Sequence, residues 1–438
     1  MTDRLAQLYP DHIAEIKARH DRVLAETDYD HVLIFAGAEH IVFLDDMPYP
    51  FKANPHFKSW VPVLKNPNCF VLYGGDRPIL GYFQPVDYWH KPAEDPTGFW
   101  VDHFDIRSLA TPADMKELLA GKNNIAFLGE WDDSFSDWGI AGRNPDGVMG
   151  RLHYDRAWKT EYEIECMREA NASGVRGHRA AEKAFRAGST EYDIHLEYLK
   201  ATGHTEAELP YGNIIAINEN AAVLHYQHQS KSNPADRRSF LIDAGTSFNG
   251  YASDITRTYS AGNGEFEAMI GAVDGLQQDL CAMVRPGLDY KTLQMETHRR
   301  IGGVLSEFGI VNLDEEEMVE KGVTAKFFPH GVGHYIGLQV HDVGGFMKDR
   351  EGETIPKPEG QPYLRLTRTV EPSHVFTVEP GLYFIDSLLS ELRQSEQGSA
   401  VDWDKVDTFR KYGGVRVEDD IVVTEDGHEN LTRDQFAK

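Results

Sequence analysis

Apolar and polar positions alternate differently in two parts of the chain. From Leu8 to Glu26 apolar residues recur at helical spacing, and short apolar runs follow at His31 to Gly37, Cys69 to Gly74, Ile79 to Gln84, Phe99 to Ile106 and Ile125 to Gly129. The first predicts an amphipathic helix and the rest a small mixed α/β domain. A stretch rich in Gly, Asp and Asn, Trp131 to Gly150, reads as a separator. Beyond it, Thr160-Glu161-Tyr162-Glu163 has the form of a capping box opening a helix that ends at Gly188. The pattern therefore predicts one domain over residues 1 to 155 and a second over 156 to 438. Helices from Ser189 to Thr202 and from Glu265 to Val284 follow, with strands between and after them, and the acidic run Asp314 to Glu317 reads as a solvated helix end. The fold class is α+β.

Several strands in the second part carry acids where strands should not. Ser239 to Asp243 is an apolar run ending in a carboxylate, and Gly250 to Thr258 is a second run containing Asp254, with the turn signal Asn249-Gly250 between them. A hairpin symmetric about Phe248 and Asn249 would place Asp243 directly opposite Asp254, with Cβ atoms roughly 5 Å apart, where two like charges destabilise unless a cation sits between them. Val375-Phe376-Thr377-Val378-Glu379 and Gly414-Val415-Arg416-Val417-Glu418 each put a glutamate at or inside a β-branched run. Between these lies Phe328-Pro329-His330-Gly331-Val332-Gly333-His334-Tyr335-Ile336-Gly337-Leu338-Gln339-Val340-His341, whose interleaved histidines and glycines mark a functional loop; spacing does not say which histidine binds.

Four carboxylates and one imidazole brought together point to a metal site, because buried charges persist only when paired or metal-bound. Two divalent ions, a formal charge of about +4, would balance four ionised carboxylates, and oxygen ligands with one imidazole suit manganese, cobalt or iron.

Composition narrows the partners. With Lys+Arg 44 against Asp+Glu 70, the net charge of -26 disfavours nucleic acid and anionic membranes. Cys69, Cys166 and Cys281 are odd in number and far apart, as expected of packing residues in a reducing compartment. The N-terminal twenty residues hold scattered charges and no apolar segment, so the expected location is the cytoplasm.

In order along the chain stand an aspartate at a strand end (Asp243), a second in an Asp-x-Thr strand (Asp254 to Thr256), a His-Gly-x-Gly-His-x-x-Gly loop (His330 to Gly337), Val378-Glu379-Pro380-Gly381 and Gly414-x-Arg416-x-Glu418-Asp419. In these motifs the chain resembles the bacterial Xaa-Pro dipeptidases (prolidases) of the metallopeptidase family with the pita-bread fold, in particular the branch called organophosphorus acid anhydrolase. The resemblance extends to Phe43-Leu44-Asp45-Asp46-Met47-Pro48-Tyr49-Pro50-Phe51-Lys52 and Pro85-Val86-Asp87-Tyr88-Trp89-His90.

The resemblance implies a small N-terminal domain followed by a curved antiparallel sheet backed by helices, with two divalent ions in its concave face, manganese first and cobalt as the alternative. Asp243 would be a terminal ligand to one ion, His334 and Glu379 ligands to the other, and Asp254 and Glu418 bridges between them. Thr256, Thr377 and His330 would brace the ligands. A hydroxide between the ions would attack the scissile carbonyl, with Glu379 moving the proton and His225 or His341 steadying the oxyanion. Arg365 and Arg416 would grip the substrate carboxylate or brace the site. Tyr211, Tyr290, Val340 and Leu364 would line the pocket, and Asp45 and Trp89 would close the pocket of the other protomer in a homodimer. The implied activity is hydrolysis of Xaa-Pro dipeptides, with side activity on organophosphorus triesters and phosphonofluoridates. The alternatives are an aminopeptidase P acting on longer peptides and a non-catalytic binding protein of the same fold.

Overall fold

The computed structural model describes residues 2–262 and 264–438. Contacts divide the chain into two units: one runs to Cys166 and includes Asn249–Tyr251 and Lys348–Glu353, the other comprises Met167–Phe248, Ala252–Met347 and Thr354–Lys438.

The first unit opens with the helix Thr2–Ala25, which begins before the expected start at Leu8 and passes through Pro10. Leu5, Tyr9, Ile13 and Ile16 are buried along it at helical spacing. That continuous apolar face outweighs the one hydrogen bond that proline removes. Six strands follow: β1 His31–Phe35, β2 Phe70–Tyr73, β3 Ile79–Phe83, β4 Asp105–Leu109, β5 Ile125–Leu128 and β6 Ile140–Arg143, in the order β4-β3-β2-β1-β5-β6. The β1–β2 and β2–β3 pairs are antiparallel, whereas β1–β5, β3–β4 and β5–β6 are parallel. The inner strands β1, β2 and β5 are buried almost throughout, so they read as unbroken apolar runs. Around them Leu33, Phe35, Phe70, Phe127 and Phe135 form the core.

Two expectations fail at the sheet's edges. Phe99 to Ile106 is mostly a turn, with a single 3-10 turn at Val101–His103, and the strand starts only at Asp105. The supposed separator Trp131 to Gly150 holds β6 and the start of the helix Asp146–Asp155. Edge strands pair on one side only, and β6 has half of its four residues exposed, so neither leaves an apolar signature.

The helix Glu161–Arg186 starts at the expected capping box: Thr160 N–H donates to Glu163 Oε2 at 2.8 Å and Glu163 N–H to Thr160 Oγ1 at 3.4 Å. In the second unit come the helices Glu191–Thr202, Glu265–Met283 and Tyr290–Glu307. Its strands are β7 Ile214–Ile217, β8 Ser239–Asp243, β9 Ser247–Phe248, β10 Tyr251–Ala252 (whose first residue groups with the first unit), β11 Thr256–Ser260, β12 Val375–Val378, β13 Gly381–Tyr383, β14 Gly414–Arg416, β15 Asp419–Val423 and β16 His428–Asn430. They form antiparallel groups β11-β8-β7, β12-β15-β16 and β13-β14. An isolated bridge between Thr256 and Glu418 joins the first group to the break between β14 and β15. The helix Glu265–Met283 packs against β11, β12, β14 and β16, backing these segments.

The acidic run Asp314 to Glu317 is the start of the helix Glu315–Glu320, capped by Asp314, where negative charge complements the helix dipole. All three cysteines are buried and unpaired. Among the described residues no helix is long and apolar enough to cross a membrane.

Candidate metal centre

Asn249 and Gly250 both adopt positive φ, 49° and 90°, so the two-residue turn is centred on this pair, one residue later than the symmetric reading assumed. The register follows: Asp243 lies opposite Thr256, not Asp254. Asp254 falls in the break before β11, where Ala244 N–H donates to Ile255 O and Ser253 N–H to Thr246 O. Gly245 therefore faces Asp254, and a Cβ there would come within 1.9 Å of the Ser253 carbonyl oxygen, so only glycine fits. Asp243 and Asp254 still meet, as diagonal instead of direct neighbours. The Tyr211 hydroxyl touches both, at 2.8 Å from Asp243 Oδ1 and 2.5 Å from Asp254 Oδ1.

The other three ligands sit at chain breaks as well. Glu379 follows β12, Glu418 lies between β14 and β15, and His334 precedes Tyr335, which bridges to Phe376 of β12. A ligand atom on each of Asp254, His334 and Glu418 lies within 4.8 Å of the others. His334 Nε2 is 3.6 Å from Asp254 Oδ2 and 3.6 Å from Glu379 Oε1. Its Nδ1–H donates to the Tyr335 carbonyl at 3.0 Å, which leaves the Nε2 lone pair turned toward the acids. Arg416 anchors the fifth ligand, donating from Nη2 to Asp243 Oδ2 at 2.6 Å.

Burial shows in the protonation of these groups. Burial pushes Glu418 well above the usual carboxylate range, and the charges of Asp254, Glu379 and Asp243 push it further. Glu379 is raised to about 7, by burial first, with His334 and Arg416 opposing. Burial also raises Asp243 against the pull of Arg416. Asp254 is lowered: burial would raise it, but its contact with His334 and the Tyr211 hydroxyl outweigh that, and His334 is raised in turn. His334 and Arg416 offset only part of this crowding of acids, and a single Tyr211 hydrogen cannot serve two ionised aspartates. The residues fit a pair of hard divalent ions.

Thr256 and Thr377 lie within hydrogen-bonding distance of ligand residues. Thr256 Oγ1 donates to Glu418 Oε2 at 2.6 Å and accepts from Arg416 Nε at 3.2 Å. Thr377 Oγ1 accepts from His334 N–H at 3.1 Å and lies 3.5 Å from Glu379 Oε1. His330 touches no ligand directly, its Nδ1 being 3.7 Å from Glu379 Oε2. It ends a chain in which Arg416 Nη1 donates to the Tyr383 hydroxyl (2.9 Å), Tyr383 to His330 Nε2 (2.8 Å), and His330 Nδ1–H to the Gly331 carbonyl (2.8 Å).

The ligands open onto a cavity of about 680 Å³ in the second unit. His225, His341, Arg365 and Arg416 line it with Leu224, Phe346 and Tyr363. The His341 ring stands edge-on to His334 at 4.3 Å. Four expected pocket residues lie outside the lining. Tyr211 is committed to the two aspartates, and Tyr290 is fully buried with its hydroxyl on the Thr377 carbonyl at 2.8 Å. Leu364 is buried between the lining residues Tyr363 and Arg365, and Val340 is half-buried beside His341. Asp45 and Trp89 belong to the first unit, where both are exposed.

Three supports went unread in the sequence. Tyr383 is the link just described. Asp420, fully buried, accepts the Asp254 backbone N–H at 3.1 Å and Asn171 Nδ2 at 2.8 Å, fixing the backbone of a ligand. Glu191, also buried, accepts from Ile217 N–H, Asn220 Nδ2, the Tyr226 hydroxyl and Ser230 N–H, each at 2.8 Å, and so holds the segment that presents His225. Glu191 had only a helix-start signal, and Asp420 was hidden by its neighbours Glu418 and Asp419.

Comparison with known proteins agrees with this geometry. Residues 7–154 match the family "Xaa-Pro dipeptidase, N-terminal domain" and residues 165–425 match metallopeptidase family M24. The chain is 50% identical over 434 residues to the Xaa-Pro dipeptidase of Shewanella oneidensis, covering 99% of each, and 50% identical over 433 residues to that of Stenotrophomonas maltophilia, covering 98% of this chain and 97% of the relative. Among solved structures it is similar to the low pH form of Escherichia coli aminopeptidase P, with 25% identity and a TM-score of 0.74. It is also similar to the Zn-substituted form of that enzyme in complex with product, with 25% identity and a TM-score of 0.72; both matches cover 96% of this chain and 95% of the other. The chain belongs to metallopeptidase family M24, its pita-bread catalytic domain preceded by the N-terminal domain of the Xaa-Pro dipeptidases.

Proposed function

We propose that the protein hydrolyses Xaa-Pro dipeptides, using a pair of divalent ions, manganese or else cobalt, held by Asp243, Asp254, His334, Glu379 and Glu418. The observation that carries this is the meeting of four buried carboxylates and His334 at one open cavity, in a chain half identical to Xaa-Pro dipeptidases. When bound, the ions supply a nucleophile at neutral pH and polarise the scissile carbonyl. Arg416 and Tyr211 hold Asp243 in place, and Thr256 and Thr377 orient Glu418 and Glu379. Glu379, at the cavity beside His334, is placed to accept a proton from the attacking water and return it to the proline nitrogen, which carries no hydrogen and must gain one to leave. His225 and His341 face the same space and can donate to the developing oxyanion. Arg365 can take the terminal carboxylate by two parallel hydrogen bonds. Buried, unpaired cysteines and the acidic surface fit a cytoplasmic enzyme.

The likeness to aminopeptidase P keeps one rival in view: cleavage of the same bond in longer peptides. Metal-loaded protein assayed on Gly-Pro, Leu-Pro, Leu-Pro-Gly and Leu-Ala is expected to cleave only the first two. Release of leucine from Leu-Pro-Gly at a comparable rate would move the assignment to the aminopeptidase.

The length filter is a second copy of the chain. Two exposed loops of the first unit support this: Phe43 and Leu44 are 85% and 91% exposed, Tyr88 and Trp89 85% and 75%. Apolar side chains this exposed, grouped in two segments, are usual at interaction sites. In a homodimer Asp45 and Trp89 would close the partner's cavity. Asp45→Ala/Trp89→Ala chains, impaired in selecting dipeptides, and Asp254→Asn chains, inactive, are then expected to regain dipeptide-selective activity on subunit exchange, since one site of the mixed dimer combines intact ligands with intact partner loops. A monomer in sedimentation with full activity would rule the arrangement out.

The same centre should act slowly on organophosphorus triesters and phosphonofluoridates. A phosphoryl oxygen can be polarised as a carbonyl is, fluoride needs no proton to leave, and a cavity of about 680 Å³ leaves room for a trisubstituted phosphorus centre. Metal-dependent fluoride release from diisopropyl fluorophosphate is expected above the Asp254→Asn background. A rate equal to that background, in protein that still cleaves Leu-Pro, refutes this side activity.

A further inference from the structure

Every acid lining the cavity is one of the four ligand carboxylates, Asp243, Asp254, Glu379 and Glu418, and three cations line it with them: Arg416, Arg365 and Lys357. Arg416 is buried and committed to Asp243, Tyr383 and Thr256. Arg365 and Lys357 are exposed. The Lys357 ammonium donates to the Pro362 carbonyl at 2.5 Å and stands 4.9 Å over the Phe346 ring. Among the described residues no carboxylate pairs with either. In a chain with 70 acids against 44 Lys and Arg, two unpaired cations on one cavity are against the trend.

The charge balance of a bound dipeptide follows. Two divalent ions cancel the four carboxylates, so the rest of the cavity is positive. An Xaa-Pro dipeptide has one terminal carboxylate, and a single guanidinium suffices for it, which leaves Lys357 without a counter-charge. With Arg365 spent on the carboxylate, a basic side chain before proline would meet the like charge of Lys357, while the acids of the cavity's own lining are the ligand carboxylates. An acidic side chain would find the ammonium. The substrate amine is common to all dipeptides and cancels in any comparison between them.

We infer that the cavity favours an acidic residue and disfavours a basic one before proline, with Lys357 as the side-chain contact. This rests on the dipeptidase reading and adds the preferred substrate class to it. Because the pair is solvent-accessible, the effect is modest: about three- to ten-fold in kcat/KM for Glu-Pro over its uncharged isostere Gln-Pro, with Lys-Pro below both.

The test measures kcat/KM for Glu-Pro, Gln-Pro, Lys-Pro and Leu-Pro on metal-loaded wild type, Lys357→Arg, Lys357→Gln and Lys357→Glu. The Glu-Pro to Gln-Pro ratio should persist in Lys357→Arg, fall to about one in Lys357→Gln, and invert in Lys357→Glu, where Lys-Pro rises above Glu-Pro. In wild type the ratio should shrink as salt is raised, as screening of an exposed pair requires. Failure to cleave Leu-Pro at all would overturn the dipeptidase reading itself. Cleavage of Leu-Pro with Glu-Pro no better than Gln-Pro overturns only this inference. Collapse of Leu-Pro together with Glu-Pro in both Lys357→Gln and Lys357→Glu would instead make Lys357 the holder of the terminal carboxylate, and overturns the division of roles.

Discussion

Asp254→Asn and Glu418→Gln are each expected to lose about a thousandfold or more in turnover, together with much of the bound metal. Metal catalysis of this kind supplies several kcal/mol to the transition state, and every 1.36 kcal/mol is a factor of ten in rate. Both side chains are buried, and each stands among charges that its own charge helps to balance: Asp254 beside His334 and Tyr211, Glu418 beside Thr256 and within reach of Asp254 and Glu379. The amide replacements keep the shape and remove one negative charge, so two divalent cations would be left with three carboxylates. Metal content after dialysis, measured beside kcat for Leu-Pro, checks this. Full occupancy with ordinary turnover in either variant would remove the two-metal assignment.

What the sequence made legible depended on how local the signal was. Glu379 and Glu418 could be picked out because each breaks a local rule, an ionisable group against an apolar strand, whereas His334 was one of three histidines in its loop until the family resemblance singled it out; the structure puts all three at strand breaks around one point. The hairpin of Asp243 and Asp254 was legible as a hairpin, but its register was not: a one-residue shift of the turn centre changed Asp243's partner from Asp254 to Thr256 while keeping both acids close enough to share Tyr211. The strand β6 was invisible because a four-residue edge strand with half its positions exposed has no apolar pattern to show.

Supports joined by long-range contacts left no local trace at all. Asp420 meets Asn171 and the Asp254 backbone across well over a hundred residues, and Tyr383 links Arg416 to His330. Burial also overrode residue type: Tyr290, an apparent pocket aromatic, instead spends its hydroxyl on the Thr377 carbonyl behind the site. Residues that act on chemistry were therefore easier to find than residues that hold them.

Metal removal should destabilise the protein more at pH 7.5 than at pH 5. In the metal-free protein Glu379 is raised from 4.5 to about 7, and Glu418 and Asp243 are raised too. Between about pH 4.5 and 7 the unfolded chain has already released the Glu379 proton while the folded chain keeps it, so folding stability falls as pH rises through that window, and the upward shifts of Glu418 and Asp243 act in the same direction. His334, raised by Asp254 and Glu379 against the effect of burial, works in the same direction: its contribution is complete below its unfolded pKa of 6.5 and is lost as pH rises through the folded value. Asp254, lowered, contributes stability above its unfolded pKa of 3.8 and loses it only at lower pH, outside this window. Bound ions hold all four carboxylates ionised and His334 neutral, so they abolish this penalty and must expel protons to do so. The gap in melting temperature between loaded and metal-free protein should widen steadily from pH 5 to pH 7.5. Calorimetric titration with manganese in two buffers of different ionisation enthalpy should show net proton release near pH 6. A gap that narrows with pH, or binding without proton release, would mean that the acids are ionised before the metal arrives, and that something other than His334 and Arg416 balances them in the empty site.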